Sequence, residues 1–121
     1  MSAELVHLEL HTGDLRAASS FYTELLGWEP EPVFTRAGSY LALGVGGGIG
    51  GGIVQCSPRS PVWLPYVEVD SVDRVTTEAR RLGAAVSLEP REGPAGWRSV
   101  VRSPAGGEIA LWQPKERVRD E

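Results

Sequence analysis

The sequence is poor in cysteine, in long apolar runs and in positive charge. One cysteine, Cys56, occurs in 121 residues. A single thiol closes no internal disulfide, which fits a reducing compartment. No apolar run approaches the roughly 20 residues that span a bilayer, so no membrane partner is expected. Met1-Ser2-Ala3-Glu4 lacks the basic start and apolar stretch of a signal peptide. Together these features predict a cytoplasmic protein. Lys and Arg number 12 against 16 Asp and Glu, a net charge of -4 with a pI of about 5.2. Nucleic-acid binders carry a basic stripe, and the basic residues here are scattered or sit beside acids, so no nucleic-acid partner is expected.

What is present is an ordinary globular composition, with 41% hydrophobic and 23% charged residues. The length suits one domain able to bury a core without staples. Glycine is in excess at 15 residues, and seven of the nine positions 44–52 are glycine. This stretch is no phosphate loop, because no Gly-Lys-Ser/Thr follows and no helix starts after it. Close strand approach, a flexible hairpin or room for a ligand are the roles left to it.

Along the chain, Val6, Leu8 and Leu10 alternate with His7, Glu9 and His11, the period of a half-buried strand over 4–12. Asp14 is a good N-cap, and Leu15, Ala18, Tyr22, Leu25 and Leu26 follow at helical spacing to Gly27, predicting a helix at about 15–26. Short strands are predicted at Trp28 to Val33, Tyr40 to Leu43 and Gly52 to Cys56. Ser57-Pro58-Arg59-Ser60-Pro61 reads as a connector. The pattern then restarts. Val62 to Val69 is a strand, with Pro65 implying an edge or irregular position. Ser71 caps a helix carrying Val72, Val75, Ala79 and Leu82, closed by Gly83. Strands follow at Ala85 to Leu88, Trp97 to Arg102 and Glu108 to Gln113, separated by a loop from Pro90 to Gly96 and a turn at 103–107. The tail from Lys115 is charged and expected to fray.

A shift of 57 residues lays the first half on the second. Asp14 falls on Ser71, Leu15 on Val72, Ala18 on Val75, Tyr22 on Ala79 and Leu25 on Leu82. The glycine stops disagree by one residue, so the register is firm in the strand–helix part and looser afterwards. Such a repeat constrains the fold strongly. It predicts an α+β fold of two tandem βαβββ modules forming a curved sheet or half-barrel around a cavity, with the helices outside. Residues 1–121 would form a single domain, with module one at about 4–57, module two at about 61–114 and a tail at 115–121.

Val6-His7-Leu8, Asp14-Leu15, Ala18, Phe21-Tyr22 and Leu25-Leu26-Gly27-Trp28 resemble the opening of the vicinal oxygen chelate superfamily. So do Leu64 to Asp73 and Ser103 to Pro114 in the second half. That superfamily includes glyoxalases, bleomycin-resistance proteins and extradiol dioxygenases. The resemblance covers about residues 4–114; it is specific for the fold and weak for the activity, because the fold hosts many functions. It implies a homodimer. Metal-dependent members use His and Glu on the inner strand faces. His7 stands at the first such position, but its repeat partner is Leu64, the last-strand carboxylate position is Ala110, and its first-module counterpart is about Ile53. One of four positions is filled, so no metal or other cofactor is expected; a divalent-metal enzyme would need non-standard ligands, His7 with Glu9 or Glu108.

If His7 faces the cavity, alternation places Glu9 and His11 beside it, with Leu64, Tyr66 and Glu68 in the second module and Glu108, Ala110 and Trp112 in the last strand. Tyr40 and Trp97 join them from neighbouring strands. The expected cavity is acidic and aromatic-lined, suited to a flat or cationic small molecule. The leading expectation is a metal-free ligand-binding protein of the bleomycin-resistance kind. The alternative is a metal-free lyase, isomerase or cyclase in which His7, Glu9 and His11 are the catalytic acid and base. The plain readings are a hydrogen-bonded cavity histidine for His7, a polar strand face for Glu9 and His11, and simple packing for Tyr66, Trp97 and Trp112.

Overall fold

The computed structural model describes residues 2–35, 38–57 and 61–115. Its elements run β1 (Glu4–Thr12), α1 (Leu15–Leu26), β2 (Pro30–Thr35), β3 (Gly38–Gly44), β4 (Gly50–Gln55), β5 (Val62–Glu68), α2 (Val72–Arg81), β6 (Ala85–Glu92), β7 (Gly96–Arg102) and β8 (Glu108–Pro114). This is the α+β order of two βαβββ modules. In the first, β2, β3 and β4 are antiparallel neighbours and β4 pairs in parallel with β1. In the second, β6, β7 and β8 are antiparallel neighbours and β8 pairs in parallel with β5. The chain divides into two compact units, Val6–Pro65 and Tyr66–Glu121 together with Met1–Leu5.

The repeat holds at the level of individual pairs. Glu9↔Gly52 and Leu10↔Ile53 in the first module become Tyr66↔Ala110 and Val67↔Leu111 in the second. The offset is 57 in the leading strand and 58 in the closing strand, which is where the sequence register loosened.

Both helices start in the same way. The Asp14 carboxylate accepts the Ala17 N–H at 3.0 Å, and the Ser71 hydroxyl accepts the Arg74 N–H at 3.2 Å. Such a cap contributes about 1 kcal/mol. A second contact was not foreseen from sequence. The side-chain carbonyl of Gln55, ending β4, accepts the Leu15 N–H at 2.9 Å, and that of Gln113, near the end of β8, accepts the Val72 N–H at 2.9 Å. Each closing strand therefore holds the start of its own module's helix, satisfying a donor the helix cannot satisfy itself. The helices end differently. Gly27 caps α1 with φ 73°, whereas α2 is capped by Leu82 and the left-handed residue is the next one, Gly83, with φ 96°.

One core gathers Leu10, Leu43 and Ile53 under Leu15, Ala18, Tyr22, Trp28, Leu41, Val45 and Trp63. The other gathers Val72, Val101 and Leu111 with Val69, Val75, Ala79, Ala84, Val86 and Trp97. The helix positions predicted to recur at Leu15/Val72, Ala18/Val75 and Tyr22/Ala79 thus pack in both. Leu25, Leu26 and Leu82 do not: they are exposed in the last turn or at the cap. In the first unit the Trp63 indole N–H donates to the Tyr22 hydroxyl at 3.2 Å, and Tyr22 stacks on Trp28 at 5.9 Å between centroids.

Several boundaries differ from expectation: β2 runs Pro30–Thr35 and not Trp28 to Val33, β4 starts at Gly50 and not Gly52, and β6 differs most. Strand β6 continues to Glu92, so the predicted loop at Pro90 shrinks to a tight turn closed by Gly93 N–H on the Gly96 carbonyl at 2.7 Å. The register shifts between Val86 and Leu88 and between Leu88 and Arg91 let a proline without an N–H sit in the strand. Pro65 precedes the first registered β5–β8 pair, Tyr66↔Ala110, so its missing donor costs that ladder nothing. The connector positions 58–60 and the tail from 116 onward lie outside the described residues.

Candidate functional site

Alternation on β1 separates two rows. Leu10 and its β4 partner Ile53 face the helix. His7, Glu9 and His11 therefore face the other way, opposite Gly50, Gly52 and Val54. Glu9 lies between the two imidazoles. One carboxylate oxygen is 2.7 Å from His11 Nε2 and the other 3.3 Å from His7 Nε2. The three side chains are 15% exposed for Glu9, 27% for His7 and 23% for His11. A carboxylate only accepts hydrogen bonds, so both histidines present Nε2–H to it and direct Nδ1 away. In that tautomer a neutral imidazole keeps its basic lone pair on Nδ1.

The glycines explain how the His7 ring fits. A Cβ at Gly50 would lie 2.9 Å from His7 Nδ1, and one at Gly52 would lie 3.7 Å from His7 Cε1 and 3.5 Å from Tyr40 Cδ2. Part of the glycine-rich stretch is thus a floor for the His7 imidazole. Of the roles left open for it, this one is close approach, with a side chain as the visitor. Tyr40 reaches the same floor from β3.

In the second unit, Tyr66 is buried on β5, with Ala110 opposite it and Trp112 opposite Glu68. The Tyr66 and Trp112 rings are 6.4 Å apart at 61°. Glu108, at the start of β8, accepts a hydrogen bond from the Ser87 hydroxyl. Residues paired across adjacent strands share a face, so the partners of β8 residues place β7. Arg98 stands opposite Trp112, Val100 opposite Ala110 and Arg102 opposite Glu108. Arg98 Nη1 donates to the Tyr66 hydroxyl at 2.7 Å.

Trp97 is the residue the sequence misplaced. It alternates with Arg98 and so points to the helix side, where it packs on Val72, Val101 and Leu111. There it lines a groove of about 270 Å³ with Val72, Asp73 and Gln113, and Lys115 Nζ lies 5.7 Å from its ring centroid. Assigning Trp97 to the inner face gave β7 the wrong side. That error hid Arg98, and with it the positive charge on a face expected to be acidic.

The resemblance implies a divalent ion at four strand positions. His7 could ligate one. Leu64 and Ala110 are buried side chains without a donor atom. The fourth position needs correction: Ile53 belongs to the helix-side core, and the residue on the His7 side of β4 is Gly52, which has no side chain. These residues do not fit the ion. Among the described residues no three His, Cys, Asp or Glu side chains form a group that could hold a metal.

Two βαβββ modules, each closing its last strand in parallel beside its first, define the vicinal oxygen chelate architecture. Within it, the model of the glyoxalase-like domain family matches residues 6–112, and the chain belongs to that family. The protein named "Putative glyoxylase CFP32" in Mycobacterium bovis and in Mycobacterium tuberculosis is 31% identical over 119 residues, 92% of this chain and 46% of the relative. The chain spans about half the length of these curated relatives. Among solved structures, hypothetical protein BH1468 from Bacillus halodurans C-125 matches with a TM-score of 0.72 at 16% identity, over 99% of this chain and 100% of its own. Methylmalonyl-CoA epimerase from Mycobacterium tuberculosis matches at 0.62 and 20% identity, over 93% and 88%. A glyoxalase/bleomycin resistance protein/dioxygenase superfamily member from Vibrio splendidus 12B01 matches at 0.63 and 17%, over 93% and 99%. At these identities the structures share the fold. No helix among the described residues is long and apolar enough to cross a membrane.

Proposed function

We propose that this glyoxalase-like chain is a single ligand-holding domain that binds a small molecule with a flat, conjugated body, without a metal ion. The observation that carries this reading is the Tyr66–Trp112 pair beside Ala110: two aromatic walls on adjacent strands, with only a methyl group on the strand position next to Tyr66. Aromatic walls with a few oriented polar groups are the common make-up of small-molecule sites. Isothermal titration against a broad panel of aromatic natural products tests it. Dissociation constants in the micromolar range are expected, with Trp112→Ala weakening them roughly tenfold or more, the loss of one aromatic wall. Binding no tighter than high micromolar across the whole panel sinks the reading. The homodimer implied by the family belongs to this proposal too, and light scattering should return twice the mass of the chain.

A second reading rests on Glu9 between two imidazoles. A carboxylate that orients an imidazole and fixes its tautomer prepares it to move a proton. Here the chain would catalyse proton abstraction and return on a small oxygenated substrate, as a lyase, isomerase or cyclase, with His7 or His11 as the base. Exchange of the carbon-bound proton of candidate carbonyl acids in D2O, followed by NMR, reads this directly. Glu9→Gln and His7→Ala should each slow exchange by about 100-fold or more. Full exchange in both variants removes these residues from the chemistry.

A further inference from the structure

Arg98 belongs to no ion pair among the described residues. The ion pairs of the described residues join Glu9 to His7 and His11, Arg80 to Glu89, Arg81 to Glu78, and Lys115 to Glu92. Arg98 is in none of them. It is nevertheless half-buried on a central stretch of β7, and one of its N–H groups is spent on the Tyr66 hydroxyl. No buried side-chain nitrogen or oxygen among the described residues lacks a partner. Any guanidinium N–H groups left without a protein partner are thus those within reach of solvent, on the face that carries Tyr66 and Trp112. The neighbours along β7 and across it add charge of the same sign: Arg91 stands opposite Arg98 on β6, and Arg102 lies four pairs further along opposite Glu108. Glu108 is engaged by Ser87, and Glu68 stands opposite Trp112 on β5.

We infer that Arg98, held in place by Tyr66, anchors an oxyanion on the ligand, so that this face selects a flat molecule bearing a carboxylate or a phosphate. This deepens the ligand-binding reading and rests on it. A guanidinium offers a planar fork of donors that matches either group in a bidentate way. Partial burial makes the contact stronger than it would be in open water. A half-buried arginine with no carboxylate partner among the described residues is a cost to folding that a ligand anion would offset. The ligand charge is therefore opposite to that suggested by the acidic composition of the chain.

The test uses benzoate, phenyl phosphate and benzylammonium, which share a ring and differ in the charged group. Binding is followed by NMR on the Trp112 indole N–H, assigned with Trp112→Phe, at one ionic strength. At least one anion should bind roughly tenfold or more tighter than benzylammonium, the size expected for a charge-assisted contact. The tighter of the two anions tells carboxylate from phosphate. Arg98→Gln should erase the preference. If that variant melts early, Arg98→Met keeps the packing of the stem and serves instead. Equal or tighter binding of benzylammonium, or a preference unchanged in both variants, overturns the inference. The two failures are separable. Equal binding of all three probes that Trp112→Ala abolishes, followed in that variant on the probes' own resonances, removes the charge assignment and spares the aromatic site. No binding of any probe at millimolar concentration removes both.

Discussion

The two modules are copies in backbone and opposites in where they keep their side chains. Module one loads its leading strand with His7, Glu9 and His11 and strips its closing strand to Gly50, Gly52 and Val54. Module two reverses part of this, with Glu108, Ala110 and Trp112 at the positions equivalent to Gly50, Gly52 and Val54. Duplication supplies a second strand pair with the same register, and each copy can then be furnished separately. What stays common is what the backbone needs: the apolar pairs Leu10–Ile53 and Val67–Leu111, the caps Asp14 and Ser71, and the glutamines Gln55 and Gln113. The helices diverge too. The outer face of α1 shows Phe21 and Leu25, whereas the position in α2 matching Phe21 is Glu78, which is paired with Arg81.

The sharpest way to break the equivalence is in the cores. Ile53→Ala and Leu111→Ala should each cost about 2–5 kcal/mol in urea denaturation, the range for deleting a buried branched side chain. Equal losses support equal cores; a much smaller loss at Ile53 would mean that module one relaxes to fill the space the side chain leaves.

Gly50→Ala addresses what module one alone has. The new methyl would sit 2.9 Å from His7 Nδ1, and overpacking of this kind costs about 1–3 kcal/mol. The ring should move away, lengthening its contact with Glu9. Histidine NMR should then show the His7 resonances shifting more than those of His11. Unchanged His7 signals would mean that the glycine is not the floor of the ring.

Gln55→Ala and Gln113→Ala should lose similar amounts, about 0.5–2 kcal/mol each, because each leaves a helix-start N–H without its acceptor. Gln55 also donates to the Gly13 carbonyl at 2.6 Å, so its loss should be the larger of the two in matched thermal melts.

The smallest effect belongs to α2. The side-chain hydrogen bond from Arg81 holds the Glu78 carboxyl below its ordinary 4.5; desolvation opposes this, and the charges of Arg81 and Arg74 assist it. A carboxyl with a lowered folded pKa adds stability above its unfolded pKa and loses it as the pH falls through the lower folded value. Glu78→Gln should therefore flatten Tm against pH slightly below 4.5 and leave it unchanged at neutral pH. Phe21, its counterpart, should give no such change when replaced by Gln.

Most of the backbone was legible because period, caps and glycine stops agree over residues 4–27 and 61–83, where the signal is local. The helix overhang at Leu25 and Leu82 was not, since periodicity assigns a face without saying how far the opposing strand extends. The site was half legible. The β1 row followed from strict alternation of apolar and polar residues. Strand β7 has no such alternation: Trp97-Arg98-Ser99-Val100-Val101 carries apolar residues on both faces, and an aromatic residue looked like a ligand wall. Only the pairing Arg98↔Trp112 decides the face. Ser99, buried and hydrogen-bonded to Thr76 at 2.7 Å, marks the other side of that strand as core. Gln55 and Gln113 were missed because a glutamine at a strand end looks like surface until its helix is in place.

Strand β4 begins Gly-Gly-Gly, and glycine gives neighbouring strands little by which to tell one alignment from the next. A slip of one residue would turn Ile53 out of the core and carry the Gln55 amide away from Leu15. Two residues near the end of the strand thus penalise every misaligned pairing that the glycines would tolerate. Gln55 then acts during folding as an indexing pin, allowing the strand to stay nearly bare over its first half and still settle in one position.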